Sequence, residues 1–97
     1  MSNKNGLKVQ ITNFGATVTS LQIPVADGKL VDVVLGFDSE SSYLASYNLS
    51  SAPYLGTTVG RYAGRINKGV FSLNGKTFQL NTNNNGNTLH GGNTGFG

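Results

Sequence analysis

Val70-Phe71-Ser72-Leu73-Asn74-Gly75-Lys76-Thr77-Phe78-Gln79-Leu80 is the stretch that decides the fold class. Asn-Gly is a strong local signal for a two-residue hairpin loop, because both central residues of such a turn take positive φ, which Asn and Gly tolerate. Apolar and polar residues alternate on either side of it, the period of strands with two unlike faces. With Asn74-Gly75 as the loop the register follows: Leu73 faces Lys76, Ser72 faces Thr77 and Phe71 faces Phe78. One side of the ribbon then carries Phe71, Leu73, Phe78 and Leu80, and it is expected to be the buried side. An aromatic cross-strand pair adds roughly 0.2–1 kcal/mol over an Ala–Ala pair.

The same reading extends towards the N-terminus. Leu7, Val9 and Ile11 alternate with Lys8, Gln10 and Thr12, which predicts a strand, and Asn13-Phe14-Gly15 predicts a turn. Val18 to Ile23 is β-prone. After Pro24-Val25-Ala26, the dipeptide Asp27-Gly28 predicts a hairpin turn into a partner strand over Leu30 to Leu35. Asp38 to Leu44 carries capping residues and early acids that suit one short helical turn. Asn81 to Asn87 is polar with almost nothing to bury, hence a surface loop. Five or more strands with turns at short intervals, and no amphipathic helix, predict an all-β, antiparallel β-sandwich.

Composition supports this class and removes others. The chain has 97 residues, 14 glycines and 11% charged residues. The charged share is less than half the usual value of about 25% and glycine about double its usual 7%, which disfavours coiled coils and long solvated helices. One domain over residues 1–97 is the expectation, with thin stability for its size. Absence of cysteine excludes disulfides, thiolate nucleophiles and zinc–thiolate sites. The opening segment has no apolar run of a signal peptide and no stretch approaches a membrane span, so a cytoplasmic protein without membrane attachment is expected. Net charge is +3, from seven Lys/Arg against four Asp/Glu spread without a cluster, which argues against nucleic acid as a partner. Nothing in the sequence sets an oligomeric state.

Two places carry candidate chemistry. His90 is the only histidine, and Leu89-His90-Gly91-Gly92 presents it on a loop whose glycines allow close backbone approach. On the residues alone it is either an exposed or locally bonded loop histidine, or a donor or acceptor for a substrate hydroxyl. A metal site is not expected, since zinc wants three or four ligands and one histidine with four scattered acids does not supply them. Gly60-Arg61-Tyr62-Ala63-Gly64-Arg65-Ile66-Asn67 holds two arginines four apart; on a strand both would share a face. They read either as surface ion-pairing residues or as rigid donor forks for carboxylates, phosphates or vicinal hydroxyls. Gly75-Lys76-Thr77 is no phosphate loop, because Gly69 stands at the wrong spacing and the triplet sits on the hairpin.

Taken in order, Ile11-Thr12-Asn13-Phe14-Gly15-Ala16, Asp32-Val33-Val34-Leu35-Gly36-Phe37, Gly60-Arg61-Tyr62-Ala63-Gly64-Arg65-Ile66 and Leu89-His90-Gly91-Gly92 with Gly95-Phe96 resemble the aldose 1-epimerase family, the galactose mutarotases. The resemblance implies a large antiparallel β-sandwich of the mutarotase type. It also implies interconversion of the α and β anomers of free hexoses such as galactose and glucose, with no cofactor and no metal. Mutarotation takes the proton from the anomeric hydroxyl while the ring oxygen is protonated, so one base and one acid are needed. By the resemblance, Arg65 holds the sugar's hydroxyls and His90 binds near the ring-oxygen side as a supporting catalytic residue. The main acid, a later histidine, and the base, a glutamate, would then lie beyond Gly97. Glu40, the only glutamate, does not match that base. The chain is accordingly expected to be the N-terminal part of a single sandwich domain, with strand edges that further strands would cover. Gly64 stands where the family commonly has asparagine, so one polar contact to the sugar is expected to be missing or supplied by backbone. Two other readings remain beside it: a non-catalytic carbohydrate-binding β-sandwich and a purely structural β module.

Overall fold

Alternating, β-branched segments at the N-terminus form the first sheet. The structure, a computed structural model, describes residues 1–95; Gly97 and Phe96, the last residue of the motif series, lie outside the described residues. Strands β1 (Lys8–Ile11), β2 (Val18–Pro24) and β3 (Leu30–Asp32) make an antiparallel sheet in the order β1-β2-β3. β1 pairs Lys8 with Gln22 and Val9 with Leu21, then slips at Gln10/Ile11, where Ile11 meets Val18. Between β2 and β3 the Asp27-Gly28 turn forms as a three-residue loop: Val25 N–H donates to Lys29 O at 2.9 Å, Gly28 N–H donates to Val25 O at 3.0 Å, and Gly28 takes φ 71°.

β3 is shorter than the sequence suggests, and Asp32 supplies the reason. Its carboxylate accepts from Ser20 Oγ at 2.5 Å, from Leu21 N at 3.1 Å and from Val34 N at 3.0 Å. A side chain that takes the N–H two residues on gives the backbone an alternative to the ladder, and the strand stops there. The Ser20 hydroxyl first, then the Val34 and Leu21 amides, hold the Asp32 carboxyl below the usual aspartate range. Farther on, helix α1 (Glu40–Ser46) runs two turns, longer than the expected one. Ser39 caps it by accepting from Ser42 N at 3.3 Å, and Glu40 sits in the first turn, where a negative charge complements the exposed amides.

Few side chains in this part are fully buried, and most of those carry hydroxyls. Tyr43 is 3% exposed and packs edge-on against Phe37, with ring centroids 5.2 Å apart. Thr17 is wholly buried; its hydroxyl donates to Phe14 O at 2.9 Å and meets Tyr47 Oη and Thr57 Oγ1, which lie 2.9 Å from each other.

Residues Met1–Thr58 form one compact unit and the chain from Val59 forms a second. In the second, strands β4 (Arg65–Ile66) and β7 (Thr88–Leu89) pair antiparallel, as do β5 (Val70–Leu73) and β6 (Lys76–Gln79). β5 and β6 adopt the register expected from Asn74-Gly75: Phe71 opposite Phe78, Ser72 opposite Thr77, Leu73 opposite Lys76. Asn74 and Gly75 take φ 51° and 76°, the signs a type I′ turn requires. Phe71 and Phe78 stack with centroids 5.0 Å apart and planes 14° apart. The expectation of a buried ribbon face is corrected here. Phe71 is 37% and Phe78 40% exposed, because among the described residues the two rings cover mainly each other.

The polar tract before β7 contains a second tight turn. Asn84 and Asn87 exchange backbone bonds of 3.0 and 2.9 Å across Asn85 (φ 47°) and Gly86 (φ 77°). All the described strands pair antiparallel, in agreement with the all-β class, and no helix among the described residues is long and apolar enough to cross a membrane.

Candidate functional site

Arg65 and His90 are brought to neighbouring positions by a ladder of only two residue pairs. β4 and β7 place Arg65 opposite Leu89 and Ile66 opposite Thr88, so Gly64 and His90 follow as the next pair. Thr88, 1% exposed, anchors this ladder from behind: its hydroxyl donates to Asn81 O at 2.6 Å. At the open end the chain leaves extended geometry, with Gly64 at φ 80° and His90 at φ 49°. The strict alternation that sends neighbours on paired strands to opposite faces therefore ends at Arg65 and Leu89.

Two bonds clamp His90 to Gly64. His90 N–H donates to Gly64 O at 3.0 Å, and Gly64 N–H donates to His90 Nδ1 at 3.1 Å. A backbone N–H aimed at Nδ1 needs a lone pair there, so in this arrangement Nδ1 is the acceptor and Nε2 is the nitrogen left to donate. His90 is exposed, and its Nε2–H is thus a hydrogen-bond donor directed away from the clamp. Of the two sequence readings of His90, the locally bonded one is seen here: Nδ1 accepts from Gly64 N.

Gly91, the first glycine after His90, lies tight against the chain itself. A Cβ on Gly91 (φ 90°) would stand 2.7 Å from Arg61 N and 2.9 Å from Gly60 O, so the close approach is to the chain's own Gly60–Arg61 backbone. Gly64 is the opposite case. Among the described residues, its two chain neighbours apart, no atom lies within 4 Å of where its Cβ would point, and its positive φ is one that asparagine tolerates well. Its backbone N–H is already committed to His90.

The arginines part company. Residues 61–64 are bends and the strand begins only at Arg65, so the expectation of two arginines on one strand face is corrected. Gly64 in the left-handed region breaks the extended path between them. Arg61 Nη1 reaches Thr94 O at 3.5 Å. Arg65 is exposed and its Nε donates to Asn84 Oδ1 at 2.9 Å, an amide oxygen rather than a carboxylate. Sequence reasoning missed Asn84 altogether, along with Asn83. Asn83 Oδ1 accepts from Leu89 N at 2.7 Å, and its Nδ2 donates to Leu89 O at 3.1 Å and Gly92 O at 3.2 Å, holding the backbone on both sides of His90. The available signal was the asparagine run itself, since short amides bond backbone groups in turns.

In the first unit, the two concavities of about 270 and 250 Å³ are lined by residues such as Gln10, Thr19, Asp38 and Glu40, and by Lys8, Ser20 and Gln22. Glu40 is thus a helix-terminus residue there. No three His, Cys, Asp or Glu side chains gather into a metal-holding group among the described residues.

The chain is 47% identical over 90 residues to the galactose mutarotase of Bos taurus, an alignment covering 93% of this chain and 25% of that protein. Among solved structures, the GalM/aldose epimerase homologue from C. elegans matches with a TM-score of 0.74 at 38% identity, covering 99% of this chain and 28% of that one. Galactose 1-epimerase from Lactobacillus acidophilus NCFM matches with a TM-score of 0.65 at 32% identity, over 94% of this chain and 24% of that one. The chain therefore spans about a quarter of the length of the relatives it matches. The fold is that of the galactose mutarotases, and with the aldose 1-epimerase family model matching residues 1–96, the chain belongs to the aldose 1-epimerase family.

Proposed function

We propose that this chain is the N-terminal part of a single mutarotase-like β-sandwich domain and supplies the sugar-holding half of an aldose 1-epimerase site. The substrates are free hexoses such as galactose and glucose, and the reaction is interconversion of their α and β anomers in the cytoplasm. The observation that carries this reading is the β4–β7 ladder end, where Arg65 pairs with Leu89 and His90 bonds the adjoining Gly64.

Arg65 contributes a planar donor fork suited to paired hydroxyls. His90 contributes a single donor, Nε2–H, because Nδ1 is engaged by Gly64. A donor beside the ring oxygen helps as the C1–O5 bond breaks, since negative charge grows on that oxygen during opening. Both groups donate hydrogen bonds, which suits the hydroxyl and ring oxygens of a sugar. Proton removal from the anomeric hydroxyl and proton delivery to the ring oxygen belong to groups outside these residues: Glu40 serves helix α1, and His90 is used as a donor.

The test uses the polypeptide extended over the length of its relatives. Polarimetry of freshly dissolved α-D-galactose or α-D-glucose should show accelerated approach to anomeric equilibrium, and Arg65→Ala or His90→Ala should slow it. Unchanged kinetics in both variants would refute the assignment. The chain of residues 1–97 alone should show no appreciable turnover.

A further inference from the structure

We infer that Asn84 is a positioning residue for Arg65: its amide oxygen holds the guanidinium through Nε, so that both terminal amino groups face outward towards the sugar hydroxyls. This rests on the function proposed above and adds to it a residue from the tract read only as a surface loop.

The turn around Asn84 divides its work between two side chains. Asn87 docks it to the neighbouring segment, its Oδ1 accepting from Lys68 N at 3.0 Å, and the Asn84 and Asn87 backbones close the turn through their mutual bonds. The Asn84 backbone is therefore fixed without its side chain. That side chain is directed at Arg65, with Oδ1 2.9 Å from Nε. Arginine has five N–H donors in a rigid plane, and fixing the one on Nε sets the direction of the other four. It also removes part of the side chain's rotamer freedom before the sugar arrives, a cost that otherwise falls on binding.

Arg65 meets the sugar hydroxyls in ground state and transition state alike, so its misorientation shows in KM rather than in kcat. The experiment compares Asn84→Ala, Asn84→Asp, Arg65→Ala and the double variant Arg65→Ala with Asn84→Ala, in the extended polypeptide with D-galactose. Asn84→Ala should raise KM about fivefold to tenfold with kcat nearly constant, in line with the loss of one exposed hydrogen bond. Asn84→Asp, which keeps an acceptor oxygen, should return KM to near the wild-type value. In the Arg65→Ala background, Asn84→Ala should change nothing further. A direct readout is the Arg65 Nε–H signal in nitrogen-15 NMR, whose solvent exchange should quicken in Asn84→Ala and not in Asn84→Asp.

If the wild type interconverts anomers while Asn84→Ala matches it, or Asn84→Ala impairs the Arg65→Ala protein as much as the wild type, the inference is overturned and the proposed function stands. A wild type that neither binds nor interconverts galactose overturns the function, and the inference with it.

Discussion

Replacing His90 by glutamine and by asparagine separates its two ring nitrogens. Gly64 N–H donates to Nδ1 at 3.1 Å, which in the proposed site leaves Nε2 as the nitrogen that would meet the sugar. A glutamine amide reaches the region of Nε2 and keeps a donor there, but gives up the acceptor for Gly64. Asparagine ends near Nδ1 and keeps the acceptor, but gives up the outer donor. Each loses one ordinary hydrogen bond at an exposed place, about 0.5–1.5 kcal/mol, or roughly twofold to tenfold in kcat/KM. Alanine loses both and should fall by up to about a hundredfold if the two contributions add.

A proton-transfer role gives a different pattern. Neither amide can carry a proton between pH 6 and 8, so both would lose the full contribution of general acid–base catalysis, about 10²–10⁴-fold. The assay is polarimetry of α-D-galactose with the extended polypeptide, taking kcat/KM for the three variants against wild type. Backbone strain is checked separately by denaturant unfolding. His90 sits at φ 49°, which asparagine accepts best, so glutamine and alanine should be less stable than asparagine by about 1 kcal/mol without this entering kcat/KM. A loss of more than a hundredfold in glutamine, with its fold intact, would refute the assignment of His90 as a fixed donor.

Three further outcomes follow from the geometry. Gly91→Ala should destabilise by about 2–4 kcal/mol in urea unfolding, since a Cβ at φ 90° would meet the Gly60–Arg61 backbone at 2.7–2.9 Å and backbone cannot swing aside as a side chain can; a variant as stable as wild type would show that this loop does not pack as described. A double-mutant cycle of Phe71→Ala and Phe78→Ala should give a coupling of about 0.5–1 kcal/mol for the rings stacked at 5.0 Å, and a coupling of zero would disprove the register. For Asp32, whose folded pKa is depressed by Ser20, Val34 and Leu21, the stabilisation is complete above the unfolded aspartate range near pH 4 and is lost as pH falls through the lower folded value. Asp32→Asn should therefore flatten the acid limb of a stability–pH curve measured by unfolding, and an unaltered limb would remove Asp32 from the cause.

How much of this was legible depended on whether the deciding interaction was local. The β5–β6 register needed only Asn74-Gly75 and the alternation around it, and it appears residue for residue. Asn85-Gly86 is the same dipeptide and makes the same kind of turn, yet the sequence predicts only a surface loop there, because the residues flanking it are polar and leave no alternation to mark strands. Hydrophobic periodicity reports burial against a core, whereas this turn is held by amides bonding to backbone. The burial of Thr17 and Thr88 was equally out of reach, since threonine goes inside only where partners such as Tyr47, Thr57 and the Asn81 carbonyl complete its hydrogen bonds, and those partners are set by tertiary structure. For the proposed site, residue type singles out His90 and Arg65 as candidates, but which of their atoms are already engaged is decided by residues that carry no chemistry of their own. The Gly64 amide selects the ring nitrogen that His90 offers, and Asn84 selects the guanidinium edge that Arg65 keeps in reserve. Gly64, in open space at a φ that asparagine also accepts, lets its own backbone supply one of those selections. An asparagine there would keep the same N–H and add an amide beside it, so Gly64→Asn should leave the His90 clamp unchanged and lower KM for galactose, and a raised KM would mean that the clamp depends on glycine itself.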